Sequence, residues 1–516
     1  MTDQTTTLHL APDQLFIRGE WRAAANGSTY TVADPATGQP LAELASTTPA
    51  DAVDALDAAA EAFPAWSNTT AEHRGRILTD ALDAFIRRNG EVASLLARNA
   101  GIPPERAQTE VLAAAEAVRL AIAATARLSG RTGHPWGRGR RGRARLATRP
   151  GLGGPLGLAA PAEAAVPAPW PPALSSDSQI PTATFRVHWV PRPIGPTAIV
   201  LPNEEPLATA ARKAAPALAA GCTVILKPAA LTPLAVMAFA NMLVEAGLPE
   251  GAFNVIPCVN APSVIEPVLG DSRLRKLSYT GDLATARGLL PLAANGAPSI
   301  SLELAGPAPF IVMEDADMDT AVDAAVSAAT HFNGQAANCA HRVYVHRSQA
   351  AAFAEQLAAR FGDLVVGDPS TTAAQVGPLL NAQLRDQALA QVNAAVKAGA
   401  TVLTGGEAAS GPGFFFQPTV LGELPGGPLP AVDDLTGPVS AIVPYDDLED
   451  VLTWANASPY GTAAYVMSEG TRNAERIGAR LSRGLVAVNT GLALPVDGRG
   501  ALGEFMRIQR TVLPAY

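Results

Sequence analysis

Residues 194–281 alternate short apolar runs with Ala-rich segments, and this alternation limits the folds open to the chain. "PTAIVLP", "CTVILKP" and "FNVIP" are apolar runs of strand length. "PLATAARKAAPALAAG", which lies between the first two, has apolar residues at helical spacing and ends at Gly221. A strand–helix–strand repeat of this kind forms a parallel sheet covered by helices. We therefore predict an α/β protein.

The same alternation returns over residues 305–487. "PFIVM", "RVYVH", "DLVVG" and "TVLTGG" are the strand-like runs there, and residues 49–129 are Ala-rich and helical. We predict two Rossmann-type domains, each with a parallel sheet. The first comprises residues 9–133 and 190–304, and the second comprises residues 305–487.

Residues 134–189 interrupt the pattern. Six arginines fall between Arg138 and Arg149, and a run rich in Gly, Pro and Ala follows. Such a run has too few large apolar side chains to become ordered by burial. The segment has two interpretations, a basic arm for an anionic partner or a low-complexity surface insertion, and its composition favours the insertion.

Charge and cysteine content exclude several classes of protein. The chain has 38 Lys and Arg against 47 Asp and Glu, a net charge of −9, which disfavours nucleic acid as a partner. Cys222, Cys258 and Cys339 are far apart, and no spacing predicts a disulfide framework or a metal site. The N-terminus is polar, and no apolar stretch has the length of a membrane span. We expect a cytoplasmic protein without a membrane segment.

Several separate pieces of the sequence resemble one known family. They are "AFPAWSNTTAEHRGRIL", "RKAAPALAAGCTVILKPAALTPLA", "LELAGPAPFIV", "SPYGTAAYV" and "VAVNTGL". Together they resemble the aldehyde dehydrogenase superfamily, most closely its succinate-semialdehyde branch. The resemblance extends from about Ile17 to Val512 and is broken at about 137–182. It implies the family's fold with a small bridging and oligomerisation segment, altered at 134–189 and shortened at 488–516, so that a homo-oligomer is possible.

The resemblance also implies a reaction, with NAD or NADP as cofactor and a small aldehyde as substrate. In the family, a cysteine thiolate adds to the aldehyde, and an asparagine side chain and a backbone N–H hold the resulting oxyanion. Hydride then leaves to the cofactor, and a glutamate activates the water that hydrolyses the thioester. Each step needs a positioned nucleophile, base or hydrogen-bond donor.

The family's catalytic positions are only partly kept. Glu303 in "SLELAG" matches the general base. Counting 34 residues forward from Glu303, or five back from Arg342, leads to the nucleophile position, which is Ala337. An alanine methyl group cannot attack a carbonyl carbon. Cys339, two residues later, is either a packed core residue or a displaced nucleophile.

The oxyanion position also differs. "LPNEEP" stands for the family's "PWNFP", and alignment on Pro206 places Glu204 where the family has asparagine. A carboxylate there would repel a developing negative charge. Asn203 is one residue away and would serve only if the loop shifted. Arg212 matches an arginine of the semialdehyde branch that would bind a substrate carboxylate, or it is a surface residue.

The cofactor positions are mixed. Lys227 matches the lysine that binds the adenosine ribose, although the family's glutamate three residues later is an alanine here. Thr280 and Gly281 are kept in "SYTGDLATA", but Asp282 replaces the serine beside the pyrophosphate. Asp434 is placed to bind the nicotinamide ribose.

Three functions remain open. The chain is an NAD(P)-dependent aldehyde dehydrogenase whose activity is weak or absent because residue 337 is alanine. Alternatively, it is a non-catalytic pseudoenzyme with a binding or scaffolding role. The third alternative is a reaction without a thioester, in which Glu303 and Glu204 act as an acid–base pair.

Overall fold

A computed structural model describes residues 8–129, 185–422, 424, 435–458, 460–493 and 501–514. The arginine cluster Arg138–Arg149, most of the insertion 134–189 and Asp434 lie outside these ranges, so the roles predicted for them stay predictions.

The strands follow the apolar runs of the sequence, with additional short strands near the N-terminus. In chain order they are β1 (Leu15–Ile17), β2 (Glu20–Arg22), β3 (Thr29–Ala33), β4 (Pro40–Ala45), β5 (Phe185–Pro193), β6 (Thr197–Val200), β7 (Val224–Lys227), β8 (Phe253–Val255), β9 (Lys276–Gly281), β10 (Ser299–Leu304), β11 (Pro309–Val312), β12 (Arg342–His346), β13 (Thr401–Thr404), β14 (Thr419–Gly422), β15 (Val439–Tyr445), β16 (Ala463–Met467), β17 (Leu485–Val488) and β18 (Met506–Pro514).

The helices connect these strands, and short 3₁₀ turns occur at Leu8–Leu10 and His331–Gly334. In chain order the helices are α1 (Pro49–Ser67), α2 (Ala71–Arg87), α3 (Asn89–Ala100), α4 (Pro104–Ser129), α5 (Pro206–Ala220), α6 (Leu234–Glu245), α7 (Ala261–Leu269), α8 (Leu283–Ala293), α9 (Met318–Thr330), α10 (Arg347–Gly362), α11 (Ala382–Lys397), α12 (Leu448–Asn456), α13 (Thr471–Gly478) and α14 (Ala501–Glu504).

The described residues form two seven-stranded sheets and two smaller two-stranded ones, which confirms the predicted α/β class. The first has the order β10-β9-β6-β7-β8-β1-β2, and the second has the order β13-β14-β15-β12-β11-β16-β17. Strands β6 to β10 run parallel, as do β11, β12 and β14 to β17. Antiparallel strands extend both sheets: β1 and β2 continue the first sheet beyond β8, with β2 at its edge, and β13 forms an edge of the second, which the sequence pattern did not predict. "DLVVG" forms no strand, only an isolated bridge from Val366 to Val376.

A separate two-stranded ribbon joins distant parts of the chain. β5 and β18 pair antiparallel over their whole length, from Phe185 with Pro514 to Pro193 with Met506. Residues 185–189, which we assigned to the insertion 134–189, are therefore part of a strand. In the segment 488–516, α14 packs against α5 and β18 forms half of the ribbon.

Helix α5 is buried on nearly every side, which explains its alanine content. Small side chains allow the long helix α4 to pack closely against it. Gly221 ends α5 with φ of 96°, a left-handed conformation that suits glycine. Within the described ranges, no helix has both the length and the apolar content needed to cross a bilayer.

Candidate functional site

A cleft of about 1090 Å³ opens where the carboxyl ends of the first sheet meet loops of the second. Val200, Lys227 and Gly281 are the last residues of β6, β7 and β9, and all three line it. Ala337 lines it from the loop before β12. Ligands of parallel α/β sheets bind outside the carboxyl ends of the strands, so the topology itself marks this cleft as a binding site.

The loop that carries Ala337 is held firmly by its neighbours. Phe332 and Asn333 both have positive φ, 48° and 55°. The buried Asn333 side chain donates to the carbonyls of Gly101 and Pro378 and accepts from the Gly377 N–H, at 2.8–2.9 Å. Such bonds offset the conformational cost of a left-handed asparagine. The backbone therefore presents Ala337, which is partly exposed, to the cleft.

Cys339 is positioned as a packed residue. It belongs to the cleft wall, but it is only 2% exposed, and its Sγ donates to the His331 carbonyl at 3.2 Å. Burial raises the pKa of the Cys339 thiol, and the nearby carboxyl groups of Glu205 and Glu204 raise this pKa further. Because only the thiolate is strongly nucleophilic, the geometry supports the packed interpretation over the displaced nucleophile.

Glu303 lies in a network of ion pairs. Its Oε1 is 2.6 Å from Lys213 Nζ, and its Oε2 is 3.0 Å from Arg212 Nη1 and accepts from Thr280 Oγ1 at 3.2 Å. Burial favours the neutral carboxyl, but Lys213 and Arg212 outweigh it and lower the pKa of Glu303. Glu303 is not among the described residues that line the cleft.

Arg212 is paired with a carboxylate of the protein itself, and its predicted role in binding a substrate carboxylate stays a prediction. Its guanidinium already pairs with Glu303, so a substrate carboxylate would have to share or displace that partner. The reason is the neighbouring strand β10, which brings Glu303 to the face of α5 that carries Arg212. The sequence separates the two residues by about 90 positions, and local spacing gives no sign of the contact.

Lys213 and Glu504 are parts of this network that sequence reasoning missed. The Lys213 side chain is only 5% exposed, and its Nζ also lies 2.9 Å from Glu504 Oε2. Glu504 in turn accepts from Ser278 Oγ at 2.7 Å. A single lysine within the apolar helix α5 is a signal for a buried partner, because buried ammonium groups need one.

Glu204 and Glu205 have different surroundings, although they are adjacent. Glu205 has φ of 43°, and its Oε1 lies 2.9 Å from His331 Nε2. Burial raises the pKa of Glu205, but the hydrogen bond to His331 and the charges of His331 and Arg212 together outweigh burial and leave the pKa below the ordinary value. Glu204 lines the cleft and, among the described residues, receives no side-chain hydrogen bond. Burial, with Glu205 and Asp282 nearby, raises the pKa of Glu204 to about 8.

Asn203 has a structural role, because it holds a neighbouring loop by two hydrogen bonds. Its Oδ1 accepts from the Leu231 N–H at 3.2 Å, and its carbonyl accepts from Thr232 Oγ1 at 2.6 Å. These bonds fix the loop between β7 and α6. The fixed Oδ1 leaves Nδ2 as the hydrogen-bond donor that Asn203 can offer in the cleft, whose wall it helps to form.

At the other end of the cleft, Lys227 is buried without a counter-charge. It is 6% exposed, and burial lowers its pKa. No acceptor contacts its ammonium among the described residues, and the half-buried Ala230 stands beside it. Asp282 caps α8: its Oδ1 accepts from the Thr285 N–H at 2.8 Å.

The family model described as "Aldehyde dehydrogenase family" matches residues 21–160 and 168–502. The chain belongs to the aldehyde dehydrogenase family. It is 37% identical over 452 residues, 88% of this chain and 90% of the relative, to a succinate-semialdehyde dehydrogenase of Paenarthrobacter nicotinovorans. It is 32% identical over 94% of this chain and 91% of the relative to the NADP(+) succinate-semialdehyde dehydrogenase GabD of Escherichia coli.

Solved structures of aldehyde dehydrogenases have the same fold. The succinate-semialdehyde dehydrogenase of Burkholderia pseudomallei superposes with a TM-score of 0.84 at 29% identity, and the match covers 100% of both chains. The predicted aldehyde dehydrogenase architecture is thereby confirmed.

The residues of the cleft fit a nicotinamide dinucleotide, with one feature against it. Lys227 is a buried donor that lacks an acceptor, and the ribose hydroxyls or phosphate of an aldehyde dehydrogenase cofactor would supply one. Asp282 places a carboxylate at the start of α8, where a helix otherwise attracts phosphate. Asp282 is exposed, so its side chain has room to turn away. Within the described ranges, no cluster of His, Cys, Asp or Glu is suited to a metal ion.

Proposed function

We propose that this member of the family binds NADP+ or NAD+ and oxidises a small carboxylate-bearing aldehyde weakly, without a covalent thioester. The observation that carries this proposal is the position of Ala337, which lines the cleft while Cys339 is buried and hydrogen-bonded. Loss of a covalent nucleophile lowers rates by orders of magnitude but leaves binding intact.

Lys227 supports cofactor binding with a preference for NADP+. The nicotinamide cofactor would supply the hydride acceptor. Among the described residues, no carboxylate contacts the ammonium of Lys227, and residue 230 is alanine. A ribose phosphate would therefore be attracted by Lys227 without repulsion from these residues. The NADP(+) named in the E. coli relative agrees with this preference.

Arg212 and the relatives' names support a semialdehyde as substrate. A substrate carboxylate near Arg212 would replace one of the contacts that Glu303 now makes. Glu303 would keep Lys213 as its partner. Succinic semialdehyde is therefore the first aldehyde to test.

The experiment is a calorimetric titration of the protein with NADP+ and with NAD+, followed by absorbance assays of NADPH or NADH formation from succinic semialdehyde. We expect binding of NADP+ and slow turnover. Lys227→Met should abolish NADP+ binding, whereas Lys397→Met, at an exposed site on α11, should not. No binding of either cofactor would exclude the proposed function.

The second candidate is a binding protein without catalysis. Asp282 at the start of α8 and Ala337 at the nucleophile position favour it, because each opposes one part of the family reaction. Binding of NADP+ without any turnover, at any pH and with all semialdehydes offered, would favour this candidate.

A further inference from the structure

An aldehyde reaches the tetrahedral state that precedes hydride loss in two ways. A thiolate adds to the carbonyl, or water adds and gives the gem-diol. The gem-diol carbon carries the hydride and two hydroxyl groups, so its oxidation needs a base and no covalent bond to the protein. A cleft that presents Ala337 at the nucleophile position leaves room for that second hydroxyl group.

We infer that Glu204 is the catalytic base of this cleft and that it accepts a proton from the hydrate of the aldehyde. Glu204 lines the cleft together with Ala337, and in the described part of the chain no other side chain donates to its carboxyl group, which accepts a hydrogen bond from its own backbone N–H. This inference rests on the proposed function and specifies its chemical route.

Among the described residues, the other carboxyl groups around the cleft are engaged. Glu303 is bound by Lys213 and Arg212 and does not line the wall. Glu205 pairs with His331, and Asp282 caps α8. Glu204 is therefore the carboxyl group that a ligand in the cleft meets without competition, and the pair of Glu303 and Glu204 is not needed.

His341 is the rival base. It lines the cleft, and its Nδ1 lies 2.9 Å from the Val439 carbonyl, which it reaches as a donor, leaving Nε2 as the acceptor. Burial lowers the pKa of His341, so its ring is a weaker proton acceptor than Glu204. Its substitution is the natural comparison in any test of Glu204.

Atoms and charge are conserved in the proposed step. A hydroxyl O–H bond of the gem-diol breaks, and its proton passes to a Glu204 oxygen. The O–H electrons form the C=O bond of the product acid, and the C–H bond breaks with its electron pair passing to the oxidised nicotinamide. One aldehyde hydrate and NAD(P)+ give one carboxylic acid, NAD(P)H and a proton, which Glu204 later releases to water.

The pH dependence follows from the groups that face Glu204. These are Glu205 on its own loop, Tyr279 on β9, Asp282 at the start of α8 and Cys339 in the loop before β12. Burial and the carboxylates among them raise the pKa of Glu204 to about 8. Since only the ionised form accepts a proton, the rate should rise as the pH increases through about 8.

The first test observes the bound substrate without cofactor. Succinic semialdehyde labelled with ¹³C at the aldehyde carbon is added to the protein and followed by NMR. We expect the bound carbon to resonate as a gem-diol in the wild type and as a thiohemiacetal in Ala337→Cys. In Glu204→Gln, the bound gem-diol signal should weaken at high pH. A thiohemiacetal in the wild type, or no bound gem-diol, overturns the inference.

The second test is the rate of NADPH formation between pH 6 and 10. Glu204→Gln should lower the rate at least about 10-fold at pH 9 and remove its rise with pH. Glu204→Asp should show the same rise of the rate with pH, but at a lower rate. That result would show that Glu204→Gln loses activity because it lacks the base and not because it fails to fold. If the protein fails to bind the cofactor, the proposed function is refuted. If turnover is unchanged in Glu204→Gln and lost in His341→Asn, the role of Glu204 is refuted.

Discussion

At the scale of single residues, the proposed function depends on position 337, where the family resemblance predicts the nucleophile and this chain has alanine. The loop is otherwise intact: Asn333 fixes it through three hydrogen bonds, and Gly334 lies against the Gly437 backbone. A cysteine introduced at 337 would therefore project into the cleft from a backbone that needs no rearrangement.

Ala337→Cys should raise the rate of succinic semialdehyde oxidation by at least about 100-fold, because it supplies the covalent nucleophile. Absorbance of NADPH gives the rate, and trapping of an acyl-protein by mass spectrometry gives the route. Cys339→Ser should leave the wild-type rate unchanged. Equal rates for wild type and Ala337→Cys would mean that the loop does not present residue 337 to the substrate.

Asp282 is a residue that we expect to weaken cofactor binding. Asp282→Ser removes a negative charge from the start of α8 and keeps a side chain able to cap the helix. We expect NADP+ to bind about 5- to 10-fold more tightly, measured by calorimetry at low salt. Asp317→Ser, the same change at the start of α9, is the control and should not alter binding.

At the scale of secondary-structure elements, contacts of the charged side chain of Glu504 hold α14 against α5 and the first sheet. Glu504 contacts Lys213 on α5 and Ser278 on β9, and both contacts are largely buried. Glu504→Gln should lower the free energy of unfolding by about 1–3 kcal/mol, because it leaves the buried Lys213 with one carboxylate fewer. Urea denaturation measures the loss. The exposed pair of Glu449 and Arg480 offers the control, and Glu449→Gln should cost nothing measurable.

Sequence patterns predicted these elements unevenly. Apolar runs such as "CTVILKP" and "PFIVM" predicted buried parallel strands, because a strand covered on both faces has no polar side. Edge strands such as β2 and β13 are short or exposed and lack that pattern. "DLVVG" has strand-like composition, but no neighbouring strand pairs with it apart from one bridge.

The candidate site was predictable in position and much less so in contacts. The resemblance placed Glu303, Lys227 and position 337 near one cleft, and Lys227 and Ala337 do line it. The ion pair of Arg212 with Glu303 and the pair of Glu205 with His331 join residues that are far apart in the sequence. Contacts of this kind depend on how helices, strands and loops pack in three dimensions, which no local pattern records.

At the scale of the whole molecule, a buried carboxyl group on α4 makes stability depend on pH. Glu110 accepts from the N–H groups of Leu207 and Ala208 at the start of α5. Burial outweighs these bonds and raises the pKa of Glu110 to about 8. A carboxyl group whose pKa is higher in the folded than in the unfolded protein stabilises the fold at pH values below the unfolded pKa, near 4.3. This stabilisation is lost as the pH rises towards 8.

Glu110→Gln should therefore flatten the decline of stability between pH 5 and pH 8, since the amide oxygen still accepts from α5 and carries no charge to bury. Urea denaturation at a series of pH values measures the slope. Glu105→Gln, on the exposed first turn of α4, serves as the control. An identical slope in wild type and Glu110→Gln would show that Glu110 is ionised in the native state without cost.

The ribbon of β5 and β18 has a consequence for the order of events during synthesis. β5 leaves the ribosome more than 300 residues before its partner β18, and Lys213 similarly precedes Glu504. Until then the edge of β5 has no partner, and Lys213 has only Glu303. The nascent chain therefore has an unpaired strand edge, and a lysine that lacks one of its two carboxylate partners, until β18 emerges. Binding by a chaperone would have its largest effect during this period.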